Sequence, residues 1–114
     1  MWKTEDKNDI IVENKGQKKG VIMEIVRKNI IFKGRVQGVG FRYRATYAAR
    51  GLRVTGWVQN LPDGCVEMEA QGNEAQINRM LAMIQKDSYI RIDRMEITDI
   101  ELQDQERGFR VKGY

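Results

Sequence analysis

Gly34-Arg35-Val36-Gln37-Gly38-Val39-Gly40-Phe41-Arg42 is the stretch whose reading decides the fold. An apolar run, Ile30-Ile31-Phe32, leads into it, and an Ala/Tyr/Arg-rich segment with helical spacing comes after it. That pattern predicts a strand, a tight glycine turn and a helix starting at about Phe41. Glycine admits positive φ and lets a ligand approach the backbone closely. Successive N–H groups in such a turn can converge on an anion, and a helix N-terminus adds unpaired donors and partial positive charge. Arg42, in the first helical turn, brings a planar fork of donors suited to phosphate. The stretch has the makings of an anion cradle. Its glycine spacing is neither the dinucleotide fingerprint nor a Walker loop, and a glycine-rich βα turn can equally serve only to change chain direction.

Working outward, the residues before the turn predict a strand at about Glu24–Lys33 and those after it a helix at Phe41–Leu52. Phe41, Ala45, Ala48, Ala49 and Leu52 share one helical face. Tyr43 and Tyr47 flank that face and read as edge-of-core aromatics. Thr55–Asn60 reads as a second strand, Asp63-Gly64 as a hairpin turn, and Cys65–Gln71 as the returning strand. There Val66 and Met68 alternate with Glu67 and Glu69. Asn73 is placed to cap a second helix, with Gln76 completing a capping box. Ile77, Met80, Leu81 and Ile84 form its apolar stripe. Tyr89–Leu102 reads as a fourth strand and Gln103–Gly108 as a polar turn. Phe109 and Val111, with Tyr114 as an extension, make a last short strand. The order β-α-β-β-α-β, its final strand broken in two, predicts an α+β ferredoxin-like sandwich. The sheet would be antiparallel, of four to five strands, with two helices on one face. Residues 1–20 read as a polar, flexible N-terminal extension and 21–114 as the folded domain. Ile10-Ile11-Val12 is an apolar island in the extension that could dock on a sheet edge.

The totals narrow the chemistry. A chain of 114 residues makes one domain. Its net charge of +4 suits an anionic partner without choosing between a phosphorylated metabolite and nucleic acid. No apolar run approaches the roughly 20 residues that span a bilayer, and the polar N-terminus lacks a signal-peptide core. No membrane is expected, and a cytoplasmic location is. The one cysteine, Cys65, excludes an intrachain disulfide framework. The histidine count is zero, so there is no Ser-His-Asp or Cys-His relay and little from which to build a zinc site. An enzyme with this inventory works without imidazole, which favours a substrate with a good leaving group.

The wording of the glycine stretch is more specific than its spacing. Gly34–Arg42 resembles the phosphate-binding loop of the acylphosphatase family almost residue for residue. Gly56-Trp57-Val58-Gln59-Asn60 resembles that family's second motif, at the family's spacing. Asp63-Gly64, Val66-Glu67 and Gln71-Gly72 resemble the residues next along the family's chain. The resemblance runs from about Arg27 to the C-terminus. It implies a small free-standing acylphosphatase, a metal-independent hydrolase that cleaves a carboxyl-phosphate anhydride to a carboxylate and inorganic phosphate. Arg42 would be the catalytic arginine holding the phosphate. The backbone amides of Gln37, Gly38, Val39, Gly40 and Phe41 would form the cradle, and Asn60 would orient the attacking water. The implied partners are a small acyl phosphate, with phosphate and other small anions as competitors; no metal or organic cofactor is implied, and a monomer is expected.

The residues suit that chemistry. A carboxylate leaving group, whose acid has a pKa of about 4, needs no general acid. Phosphoryl transfer is loose, so positioning and charge stabilisation supply most of the rate. An asparagine amide can accept from water and donate to it. Alone, Asn60 before Leu61-Pro62-Asp63-Gly64 reads as a turn residue. Arg42 at the positive end of a helix is disfavoured unless an anion joins it. Arg35 and Arg44 read as surface charge able to steer an anion, and Trp57 as a strand packing residue. Two positions depart from the family pattern. Arg53 stands where a glycine usually comes after Leu52, so the first helix ends on a non-glycine residue or earlier at Gly51. Asp87-Ser88 replaces the usual Gly-Pro. Two other readings use the same fold: a nucleic-acid-binding module, or a regulatory part of a larger assembly without catalysis. The first needs aromatics on the central strands. Strand one offers Ile30 and Phe32, the returning strand offers none, and the RNA-recognition motif is absent, so nucleic acid is disfavoured.

Overall fold

The computed structural model of the chain describes residues 24–113. The readings of residues 1–20, of Ile10-Ile11-Val12 and of Tyr114 lie outside them. The elements run β1 (Ile25–Arg35), α1 (Phe41–Leu52), β2 (Thr55–Asn60), β3 (Val66–Asn73), α2 (Glu74–Gln85), β4 (Arg91–Ile100) and β5 (Phe109–Val111). They form one five-stranded sheet in the order β4-β1-β3-β2-β5. In β3, Val66, Met68, Ala70 and Gly72 are buried and alternate with half-buried Glu67, Glu69, Gln71 and Asn73, the period-two pattern of a strand with one covered face. Ile30 and Phe32 of β1 join the buried set, which meets Phe41, Ala45, Ala48 and Ala49 of α1 and Ile77, Met80, Leu81 and Ile84 of α2. Both helices therefore cover one face, and the fold is the α+β ferredoxin-like sandwich.

The last strand differs from the sequence reading. β4 pairs antiparallel with β1, Ile30 opposite Ile97. β5 pairs parallel with β2 at the opposite edge, Gly56 opposite Phe109. The sheet is thus mixed rather than antiparallel throughout, and β4 and β5 are separate strands rather than one strand broken in two. The polar stretch between them crosses the end of the sheet and is held there. Gln103 exchanges two hydrogen bonds with the Gln71 side chain at 2.8 and 3.1 Å. Arg27 donates to Glu106 at 2.8 Å and to Glu69 at 2.9 Å. Arg27 lies on the face away from the helices, three residues from core Ile30, and is only 2% exposed. The Gly56 N–H then donates to the Gly108 carbonyl at 3.1 Å, which sets β5 beside β2.

Both departures from the family pattern have a local solution. α1 ends on Arg53 in the left-handed region, φ 62° and ψ 34°, and the Val54 N–H reaches back to the Ala49 carbonyl at 2.9 Å. Asp87 accepts from the Tyr89 N–H at 2.8 Å and from Arg44 at 3.0 Å. The turn after α2 is thereby tied to α1 without glycine or proline, and Arg44 is a paired charge.

Candidate active site

The glycine loop is pinned at both ends by the core. Val36 and Phe41 are buried, and the Phe41 ring meets Phe32 edge-on with centroids 4.7 Å apart. Between them Gly38 and Gly40 hold φ of 74° and 83°, a region that side chains other than glycine avoid. A Cβ on either would meet nothing within 4 Å. The glycines are therefore required by backbone conformation, and the space beside them is open to a ligand. Gly40 is the N-cap of α1; its carbonyl accepts the Arg44 N–H at 2.9 Å. Gly40 has no side chain with which to cap the helix, and the first turn holds no acidic residue. At the other helix start, the backbone N–H of Asn73 donates to the Gln76 side chain and that of Gln76 to the Asn73 side chain, each at 2.8 Å, in a full capping box. The first N–H groups of any helix lack intrahelical acceptors. In α2 side chains answer that need, whereas the α1 N-cap is a glycine with no side chain to do so.

Gly38, Gly40, Phe41, Arg42 and Asn60 line one cavity of about 480 Å³. It opens where the loop meets the end of β2. Gln37 and Val39 do not line it: Val39 packs against the core, and the Gln37 side chain turns to the β2–β3 turn. Thr46, one turn along α1, also faces the cavity and donates its hydroxyl to the Arg42 carbonyl at 2.8 Å. Among the described residues no carboxylate or thiol lines the cavity. Cys65 is buried in the adjacent hairpin, where burial pushes its thiol up and the nearby Asp63 carboxylate adds to the shift. Among the described residues no group of three or more Cys, Asp or Glu is placed to hold a metal ion. None of the helices described is long and apolar enough to cross a membrane.

Of the remaining residues read from the sequence, Tyr43 also lines the cavity and the others fall elsewhere. Tyr43 and Tyr47 are 75% and 62% exposed and stack on each other at 6.5 Å. They are outward-facing, not edge-of-core, because their positions lie off the stripe set by Phe41, Ala45 and Ala48. Ile30 and Phe32 point into the core, so neither is available to stack a base. Trp57 is a buried strand residue with the Lys112 ammonium 3.8 Å from its ring centre. Two groups escaped the sequence reading. The Gln37 side chain reaches partners 24 and 28 residues away, and Arg27 reaches Glu106 across 79 residues. An amide amid glycine and valine was the only local hint of the first.

The family model described as Acylphosphatase matches residues 28–111. An acylphosphatase of Geobacillus thermodenitrificans is 42% identical over 86 residues, which are 75% of this chain and 92% of that one. The crystal structure of acylphosphatase from Bacillus subtilis superposes with a TM-score of 0.69 at 30% identity, covering 75% of this chain and 97% of that chain. The same fold occurs within a much longer protein: full-length HypF in a phosphate- and nucleotide-bound form matches at TM-score 0.69 and 25% identity, over 83% of this chain and 13% of that chain.

Proposed function

This chain belongs to the acylphosphatase family and is a hydrolase of acyl phosphates; on that premise we propose that the Gly38, Gly40 and Phe41 amides and Arg42 hold the phosphate and that Asn60 orients the attacking water. The observation that carries the assignment is the shared cavity. It brings the N-terminus of α1, Arg42 and Asn60 together, although Asn60 lies on a different element. Bound phosphate would meet the positive end of α1 and the Arg42 guanidinium, which explains a basic side chain where acidic ones are usual. The Asn60 amide accepts a hydrogen bond from water with its oxygen and donates with its nitrogen, fixing the lone pair toward phosphorus. The acyl oxygen then leaves as a carboxylate, already a stable anion. With no carboxylate or thiol of the described residues lining the cavity, rate comes from alignment and from donors aimed at the phosphoryl oxygens. The proposal includes a small acyl phosphate as substrate, competition by free phosphate, a monomer and a cytoplasmic location.

The test is hydrolysis of benzoyl phosphate by the purified chain, with EDTA and without added metal. Turnover indifferent to EDTA and competed by inorganic phosphate is expected. Arg42→Ala should lose substrate binding and activity together. Asn60→Ala should lower kcat by about 100-fold or more with the fold intact, the scale of a lost alignment. A folded wild-type chain without measurable hydrolysis would overturn the activity; full turnover in Asn60→Ala would overturn the role of that residue.

A further inference from the structure

The Gln37 side chain joins the two halves of the site. Its amide nitrogen donates to the Leu61 carbonyl at 2.7 Å and to the Cys65 carbonyl at 2.7 Å. Those two carbonyls close the β2–β3 turn: Cys65 accepts the Leu61 N–H at 2.9 Å, and Leu61 accepts the Gly64 N–H at 3.2 Å. A carbonyl has two lone pairs and a primary amide two N–H bonds, so Gln37 fills the second site on both oxygens. Leu61 directly succeeds Asn60, and Gln37 directly precedes Gly38 of the cavity wall. One half-buried amide therefore spans the loop and the turn on which Asn60 stands. An asparagine is one methylene shorter. A carboxylate would set acceptor against acceptor, and an apolar side chain of equal length would leave both carbonyls short of a donor.

We propose that Gln37 is a positioning residue for hydrolysis: its side-chain amide fixes the separation of the glycine loop from Asn60, and with it the line from water to phosphorus. The inference rests on the water-orienting reading of Asn60. A reacting atom displaced by about 1 Å can cost 100-fold in rate. Phosphate affinity is set separately, by the loop N–H groups and Arg42.

The test pairs Gln37→Met, which keeps the length and removes the donors, with Asn60→Ala in a double-mutant cycle. The readouts are kcat and KM for benzoyl phosphate, the inhibition constant of inorganic phosphate, and Tm. Gln37→Met should lower kcat by about 10- to 100-fold and leave KM and the phosphate constant unchanged. In the Asn60→Ala background it should cost no further turnover, because it acts through Asn60. Gln37→Glu, nearly identical in shape, should repeat the loss and guards against a packing fault peculiar to methionine. A lowered Tm with kcat intact would reduce Gln37 to a structural link. Losses that multiply in the double variant would also overturn the proposal. If Asn60→Ala alone keeps full kcat, the underlying reading fails, whatever Gln37→Met does.

Discussion

Arg53 holds a left-handed backbone, φ 62°, that costs an L side chain about 1–2 kcal/mol. Glycine adopts it freely but loses more entropy on folding. Arg53→Gly should therefore raise stability by about 0.5–1 kcal/mol, read as a Tm increase of a few degrees, with kcat unchanged. A fall in Tm would mean that the Arg53 side chain contributes more than its backbone costs. Arg53 also marks what single residues disclose. Its departure from the glycine pattern was visible in the sequence, and the choice between ending at Gly51 or beyond Leu52 was settled by the Val54-to-Ala49 hydrogen bond. Asn73 and Gln76 were legible outright, because a capping box is complete within four consecutive residues. Gln37 and Arg27 were not, because their partners are distant along the chain and no local pattern encodes them.

At the scale of elements, α1 and α2 could be read from their apolar stripes and β3 from its alternation, since each pattern is contained in its own segment. β5 could not be placed. It has three residues, and its pairing with β2 is set by the crossing stretch before it, not by its own sequence. That crossing depends on Glu106. Burial pushes its carboxyl up, but hydrogen bonds from Arg27 and Thr55 and the Arg27 charge outweigh this, leaving it below the usual carboxylate range. A depressed folded value means stability that is present above the unfolded pKa of about 4.3 and lost as pH falls through the lower folded one. Glu106→Gln should cost about 1–3 kcal/mol at pH 7 and flatten the acid limb of a urea-midpoint profile. An unaltered acid limb would show that the Arg27 cluster does not report on folding.

For the whole molecule, phosphate held as proposed would be a ligand of the folded state alone. At 100 times its dissociation constant it should stabilise the chain by about 2.7 kcal/mol, measured as a Tm shift that Arg42→Ala removes. An equal shift in that variant would place the anion elsewhere. The sheet's two outer strands are guarded differently. β4 alternates charge along its length, with Arg91 paired to Asp93 at 3.0 Å and Arg94 to Glu96 at 3.2 Å; β5 is simply short. The parallel pairing of β2 with β5 has a consequence for biosynthesis. The ribosome makes β2 well before Phe109–Val111, so the nascent chain carries the outer edge of β2 with its amides and carbonyls unpaired. Val111 also lines the cavity beside Asn60. A growing polypeptide therefore has its glycine loop before the cavity is complete, and docking of the β5 segment covers the edge of β2 and finishes the cavity wall in one event.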